Sequence, residues 1–205
     1  MPPSRRFTRA ELESFRDAEV PDLLPRWQEE GAGTDVGTGV RLLFVGINPG
    51  LWTAATRTHF AHPGNRFYPA LLRAGIIQRP IDPAAGMTDE DRAHLLERGI
   101  GITNLVARAT ARADELSAEE LREGGERLRA TVRRVRPEVV AVAGITAYRS
   151  AFGVRTARAG RQTEPFEGAV LWVVPNPSGL NAHETVDSLA QAYAAPAREA
   201  GVLAP

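Results

Sequence analysis

The sequence predicts an α/β fold, a three-layer α/β/α arrangement around a central, mainly parallel sheet of about four strands. Three observations predict it. Four short runs dominated by apolar residues, 40–47, 100–106, 139–143 and 170–174, read as strands buried on both faces. Between them lie segments with helical apolar spacing and helix-start signals. Two of the runs lead into rigid turns, Gly46-Ile47-Asn48-Pro49-Gly50 and Asn176-Pro177-Ser178-Gly179-Leu180. Loops at the carboxyl ends of parallel strands are where open α/β sheets bind and act on ligands, so the two turns suggest one site built from both ends of the chain.

The elements follow in order. Residues 9–17 read as a short amphipathic helix, and a Gly-rich link from Gly31 to Gly39 completes an N-terminal helix-and-linker region over 1–38. After the first strand, a loop over 49–64 leads into a helix near 66–74, with Phe67, Leu71 and Leu72 at helical spacing. The helix over 89–98 has Thr88 at its N-cap and Glu90 and Asp91 in its first turn. Gly99 and Gly101 mark the start of the second strand. Ser117-Ala118-Glu119-Glu120 is a capping-box pattern, opening a helix that runs to about residue 135 and stops before Pro137. A short helix over 145–152 follows the third strand, and a closing helix over 184–199 follows the fourth. The 205 residues, 43% hydrophobic, suffice for one domain spanning 1–205 with its own core.

Composition removes several chemistries. There is no Cys, which excludes disulfides, thiol nucleophiles, Cys-ligated zinc and iron–sulfur clusters. All 25 basic residues are Arg, so a Walker-type loop would lack its Lys and no side-chain amine can form a Schiff base. The terminal amine would lie on Pro2 after loss of Met1, and the following Pro3-Ser4-Arg5-Arg6 reads as a loose, charged tail, so a catalytic Pro2 is not expected. The 25 acidic residues balance the 25 basic ones, and zero net charge argues neither for nor against an acidic partner. No apolar stretch approaches the ~18 residues of a membrane span, and no apolar signal segment follows the first residues. A soluble cytoplasmic protein is expected.

Several residues could carry chemistry. Asn48 can hold and aim a water through its amide oxygen, or brace the loop as an Asx-turn. Phe60, beside His59 in the 58–67 stretch, fits a stacking platform for a flat base, or roofs the core. His59 and His62 lack a nearby third ligand, so no metal site is expected. Asn104 ends the second strand with an amide able to donate and accept, suited to reading a pyrimidine edge or to satisfying a local backbone group. Leu180 is an apolar residue in a polar turn: a wedge for a base stack, or a side chain folded onto the core. Ser178 and His183 share one short loop with no orienting acid, and the Arg-rich stretch 127–136 reads as a solvated helix face.

Over roughly 21–197 the chain resembles the mismatch-specific uracil-DNA and thymine-DNA glycosylases. The resemblance rests on Gly-Ile-Asn-Pro-Gly-Leu at 46–51 and Asn-Pro-Ser-Gly-Leu at 176–180. Pro63-Gly64-Asn65-Arg66-Phe67, Gly99-Ile100-Gly101-Ile102-Thr103-Asn104 and Leu121-Arg122-Glu123-Gly124-Gly125 add to it. It implies the uracil-DNA glycosylase-like fold and a monofunctional hydrolase of the N-glycosidic bond of uracil, and less efficiently thymine, opposite guanine in double-stranded DNA. On that model Asn48 positions the attacking water, and Ile47, His59, Phe60, Asn65 and Asn104 surround the flipped base. Asn176, Ser178, Gly179 and Asn181 lie by the DNA, with Leu180 filling the gap in the duplex. No cofactor is implied; the expected state is a monomer near the nucleoid that initiates base excision repair. Asn181-Ala182-His183 departs from the Ser-Arg that bacterial relatives often carry after the wedge. A uracil glycosylase indifferent to mismatch, and a mismatch binder with little catalysis, are the alternatives.

Overall fold

The computed structural model describes residues 7–25 and 39–204. Five strands, β1 (Leu42–Gly46), β2 (Ile100–Asn104), β3 (Val139–Ala143), β4 (Gly160–Arg161) and β5 (Val170–Val174), form one sheet in the order β2-β1-β3-β5-β4. β2, β1, β3 and β5 are mutually parallel and are the four strands expected from sequence. The fifth, β4, is a two-residue antiparallel edge led by a glycine, with no apolar run to announce it.

The strands bury both faces because their side chains alternate across the sheet. Leu42 and Phe44 join a core with α3 (Phe67–Arg73), α4 (Asp89–Glu97) and α7 (Val186–Glu199). Leu43 and Val45 point the other way, into a core with α5 (Ala118–Val135) and α6 (Ile145–Phe152). Thr88 and Ser117 cap α4 and α5 as expected; Ser117 forms the expected capping box, and Thr88 forms one as well, with Asp91 as its partner. The expected loop over 49–64 instead contains α2 (Leu51–Thr56), whose Leu51, Thr53 and Ala54 are buried. A helix of six residues is too short to register as helical periodicity.

The N-terminal region does more than supply a helix. α1 (Arg9–Glu13) stops four residues before the expected end, and Asp17 adopts a left-handed φ of 64° that turns the chain. Residues 17–23 then run antiparallel to the outer edge of β2 and its continuation. Leu23 and Ile102 exchange both backbone hydrogen bonds, at 2.8 and 2.9 Å, and Asp17 N–H donates to the Ala109 carbonyl. The exposed edge of β2 is thereby covered, which removes a template for unwanted strand pairing. The Gly-rich link expected at 31–39 lies almost wholly outside the described residues.

β1 and β5 are not neighbours: β3 separates them. Their loops meet because β3 gives way to Gly144, whose φ of 116° suits glycine and whose missing side chain leaves room. A Cβ there would lie 3.3 Å from Ile47 Cδ1 and 3.8 Å from Asn176 Cβ. The chain order reverses between β1 and β3, so this meeting point is the topological switch of the sheet.

α5 is seated by a second close approach. A Cβ on Gly124 would collide with the Leu105 carbonyl oxygen just beyond β2, and Arg127 Nη2 donates to the same oxygen at 3.1 Å. Alanine would gain up to about 1 kcal/mol of helix propensity. Overpacking against a fixed backbone costs about 1–3 kcal/mol and wins. Gly124→Ala is therefore expected to lower the urea midpoint of unfolding; a raised midpoint would show that α5 can retreat freely.

Candidate active site

The parallel pairing of β1 with β2 continues past both strand ends. Leu105 N–H donates to the Gly46 carbonyl, Val106 N–H to the Ile47 carbonyl and Thr110 N–H to the Pro49 carbonyl. The loop after β2 is thus fastened along the loop after β1, and Asn48 lies against it. Asn48 Nδ2 donates to Thr110 Oγ1 at 2.8 Å and to the carbonyls of Arg108 and Pro49, each at 3.1 Å. Thr110 Oγ1 commits its own hydrogen to the Arg112 carbonyl at 2.7 Å, so towards Asn48 it can only accept. That fixes which way the Asn48 amide points. No donor meets Oδ1 among the described residues, and no buried side-chain polar atom there lacks a partner, so Oδ1 faces solvent.

Charged groups brace this loop from behind. Arg108 pairs with Glu120 and, at 2.9 Å, with Asp17. The Arg108 guanidinium, helped by Ser117 N–H, holds the Glu120 carboxyl down at about 2. Glu115 pairs with Arg16 in the same cluster. The carboxylates of this flank are thereby occupied by guanidinium groups, and none hydrogen-bonds Asn48.

The second half of the site is an aromatic and amide corner. Phe60 sits at a left-handed φ of 56°, a strained conformation for a bulky residue and one typical of functional sites. Its ring stacks on Phe67, with centroids 4.1 Å apart, and stays partly exposed. A side chain on Gly46 would collide with Asn104 Oδ1 and come within 3.3 Å of Phe60 Cζ, so glycine keeps this corner open.

His59 lies behind that corner. It is only 4% exposed. Its Nε2 is 3.1 Å from the Pro21 carbonyl, which can only accept, so Nε2 carries the hydrogen. Nδ1 must then accept, and Asn104 Nδ2 donates to it at 3.1 Å. The amide of Asn104 is oriented like that of Asn48: nitrogen bound by the protein, oxygen without a protein donor among the described residues. The resemblance implies that His59 contacts or polarises the base; the geometry instead gives both ring nitrogens to protein partners and leaves Asn104 in between. Burial pushes the imidazole down to about 4.

The third part is the loop after β5. Tyr193, buried in α7, donates to the Pro175 carbonyl at its root. Asn176 Oδ1 accepts from Ser178 N–H, Ser178 Oγ from Leu180 N–H, and Asn181 Nδ2 donates to the Asn176 carbonyl. Leu180 at the tip is 85% exposed, so it does not fold onto the core. Gly179 rests on the other loop: a Cβ there would lie 2.6 Å from the Gly64 carbonyl oxygen. Asn65 Oδ1 accepts from Phe67 N–H and starts α3, a local bracing role.

The structure thus brings Ile47, Asn48, Phe60, Asn104 and Asn176 to the carboxyl end of the sheet and carries Ser178, Gly179, Leu180 and Asn181 on the adjoining loop. Sequence reasoning missed Thr110, the Arg108 carbonyl, Gly144 and the Pro21 carbonyl. Thr110 is 62 positions from Asn48, and backbone carbonyls leave no mark in side-chain patterns. The Arg-rich face of α5 is more than solvated surface, since Arg129 and Arg133 both pair with Glu167 at 3.0 Å. In comparison with known families, the model described as the Uracil DNA glycosylase superfamily matches residues 34–197.

The buried His59 links stability to pH. Its folded value lies below the ordinary 6.5, so between about 6.5 and 4 the unfolded chain binds the extra proton. Stability is fully present above 6.5 and falls as pH drops through this window, by up to about 3 kcal/mol. Denaturant titrations at pH 7 and pH 4.5 should show the loss, and His59→Gln should flatten it; an unchanged slope in the variant would contradict the assignment.

Proposed function

The chain belongs to the Uracil DNA glycosylase superfamily, a membership that supports a hydrolase acting on uracil in DNA, and from that premise we propose a mismatch-directed enzyme. It removes uracil, and thymine less efficiently, from G·U and G·T mismatches in double-stranded DNA and so initiates base excision repair. The observation that carries the chemistry is the Asn48 amide, locked by Thr110 and two carbonyls with its oxygen outward.

The target base leaves the stack, as any enzyme acting on a base within a duplex requires. It stacks on the partly exposed Phe60, and its N3–H donates to Asn104 Oδ1. Uracil and thymine carry that hydrogen and cytosine does not, so an amide with its oxygen presented selects the first two. Leu180 enters the space left in the duplex, with Asn176, Ser178, Gly179 and Asn181 along the strand and its opposite base.

Asn48 Oδ1 accepts from a water and aims its oxygen at the sugar C1′. The C1′–N1 bond breaks with its electron pair going to the base, and the water oxygen bonds to C1′. The water's proton passes to solvent, the departing base anion takes up a proton from solvent in turn, and the products are the free pyrimidine and an abasic sugar. An amide oxygen cannot take up that proton near neutrality, and among the described residues no carboxylate hydrogen-bonds Asn48. The rate therefore comes from positioning and from the leaving-group quality of the base.

Two results check this. Single-turnover cleavage of duplexes bearing U·G, T·G and U·A, and of single-stranded uracil, should rank U·G first with T·G detectable; equal rates on U·A and U·G would replace the mismatch reading with a general uracil enzyme. Asn48→Ala should lose at least about 10²-fold in rate while keeping duplex binding, and Thr110→Val should lower the rate without weakening binding. Unchanged cutting by Asn48→Ala would remove the assigned role.

A further inference from the structure

An apolar side chain held 85% exposed at a loop tip needs an explanation. Burying a leucine is worth about 1.5–3 kcal/mol, so an unrestrained loop would fold Leu180 inward. We propose that Arg66 is the residue that prevents this, a positioning residue that holds the Leu180 loop in its projecting form before DNA arrives. The inference rests on the glycosylase reading for the use of the loop, but not for the clamp itself.

The geometry is specific. Arg66 N–H donates to the Pro177 carbonyl at 3.0 Å. Its Nη1 donates to the carbonyls of Asn181, at 3.0 Å, and Glu184, at 2.8 Å, while Nη2 lies 3.4 Å from the Gly179 carbonyl. One residue thus gathers four backbone acceptors that bracket Leu180 on both sides. Apart from the Tyr193 bond to the Pro175 carbonyl at its root, the loop's other bonds over 176–181, such as Asn181 N–H to the Ser178 carbonyl, are internal and move with it as a unit. Arg66 ties that unit to the start of α3, and the contact of Gly179 with Gly64 seats it there.

The side chain is also spent on this task alone. Among the described residues no carboxylate pairs with Arg66, and its guanidinium hydrogen bonds all go to loop carbonyls. A planar guanidinium presents several donors in fixed directions, which suits acceptors spread along a loop; a lysine ammonium has the charge without the fork. Preorganising the loop means that insertion does not have to order it at the moment of binding.

The test separates clamp from charge. Hydrogen exchange of the backbone amides over 179–184 should accelerate at least tenfold in both Arg66→Ala and Arg66→Lys, with exchange in β1 and β3 unchanged as the folding control. On a G·U duplex each variant should slow single-turnover excision about tenfold. In a Leu180→Ala background, the same Arg66 changes should cost less than twofold, because the residue acts through the tip. Wild-type exchange and rate in Arg66→Lys, or a full tenfold loss persisting without Leu180, would overturn the proposal. If the wild-type protein excised no uracil from any duplex, the functional reading would fall and loop exchange alone would decide the clamp.

Discussion

The site depends on the parallel pairing of β1 with β2 and its continuation beyond the last strand residues. Three further backbone bonds, ending at Thr110 N–H and the Pro49 carbonyl, keep the two loops in register. That register puts the Arg108 carbonyl and Thr110 Oγ1 against the Asn48 amide. The pairing is buttressed on three sides: residues 17–23 cover the outer edge of β2, α5 seats its Gly124 against Leu105, and Arg108 is held by Glu120 and Asp17. A shift of one residue would exchange acceptors for side chains and leave the amide unoriented.

A shared logic governs the two amides. Each is bound through nitrogen by a partner that can only accept: a hydroxyl whose proton is committed elsewhere, or a histidine nitrogen whose tautomer a carbonyl has set. The amide oxygens are what remains. The chain thus specifies which atom it offers to a ligand without placing a charge at either position, consistent with a chemistry that needs orientation more than acidity.

The legible part of this protein was the part written in side-chain periodicity and turn chemistry. The four parallel strands, the N-cap at Thr88, the capping box at Ser117 and the two strand-end turns carry local signatures, and the structure places them as read. β4 and α2 were missed because a two-residue strand and a six-residue helix are too short to show a clear periodicity. Asn48, Phe60 and Asn104 were visible as candidates, but the choice between structural and chemical duty was not, since it turns on partners distant in sequence. His59 shows this most clearly: its base contact was implied by the family resemblance alone, and its ring bonds to a carbonyl 38 positions upstream. A proline carbonyl carries no sequence signal.

The antiparallel strap over residues 17–23 has a consequence for how the protein is made. The strap leaves the ribosome early, yet its partners in β2 and the following loop are not synthesised until residues 102–109 emerge. Until then the Pro21 carbonyl has no docking place, and His59, already synthesised, has no acceptor to settle its tautomer. Folding of this half of the sheet is therefore tied to the later segment, with the non-local pairings that make such topologies slow. The corner formed by Phe60, His59 and Asn104 becomes defined only when an early segment returns to a later one, so its geometry is complete no sooner than the sheet edge is.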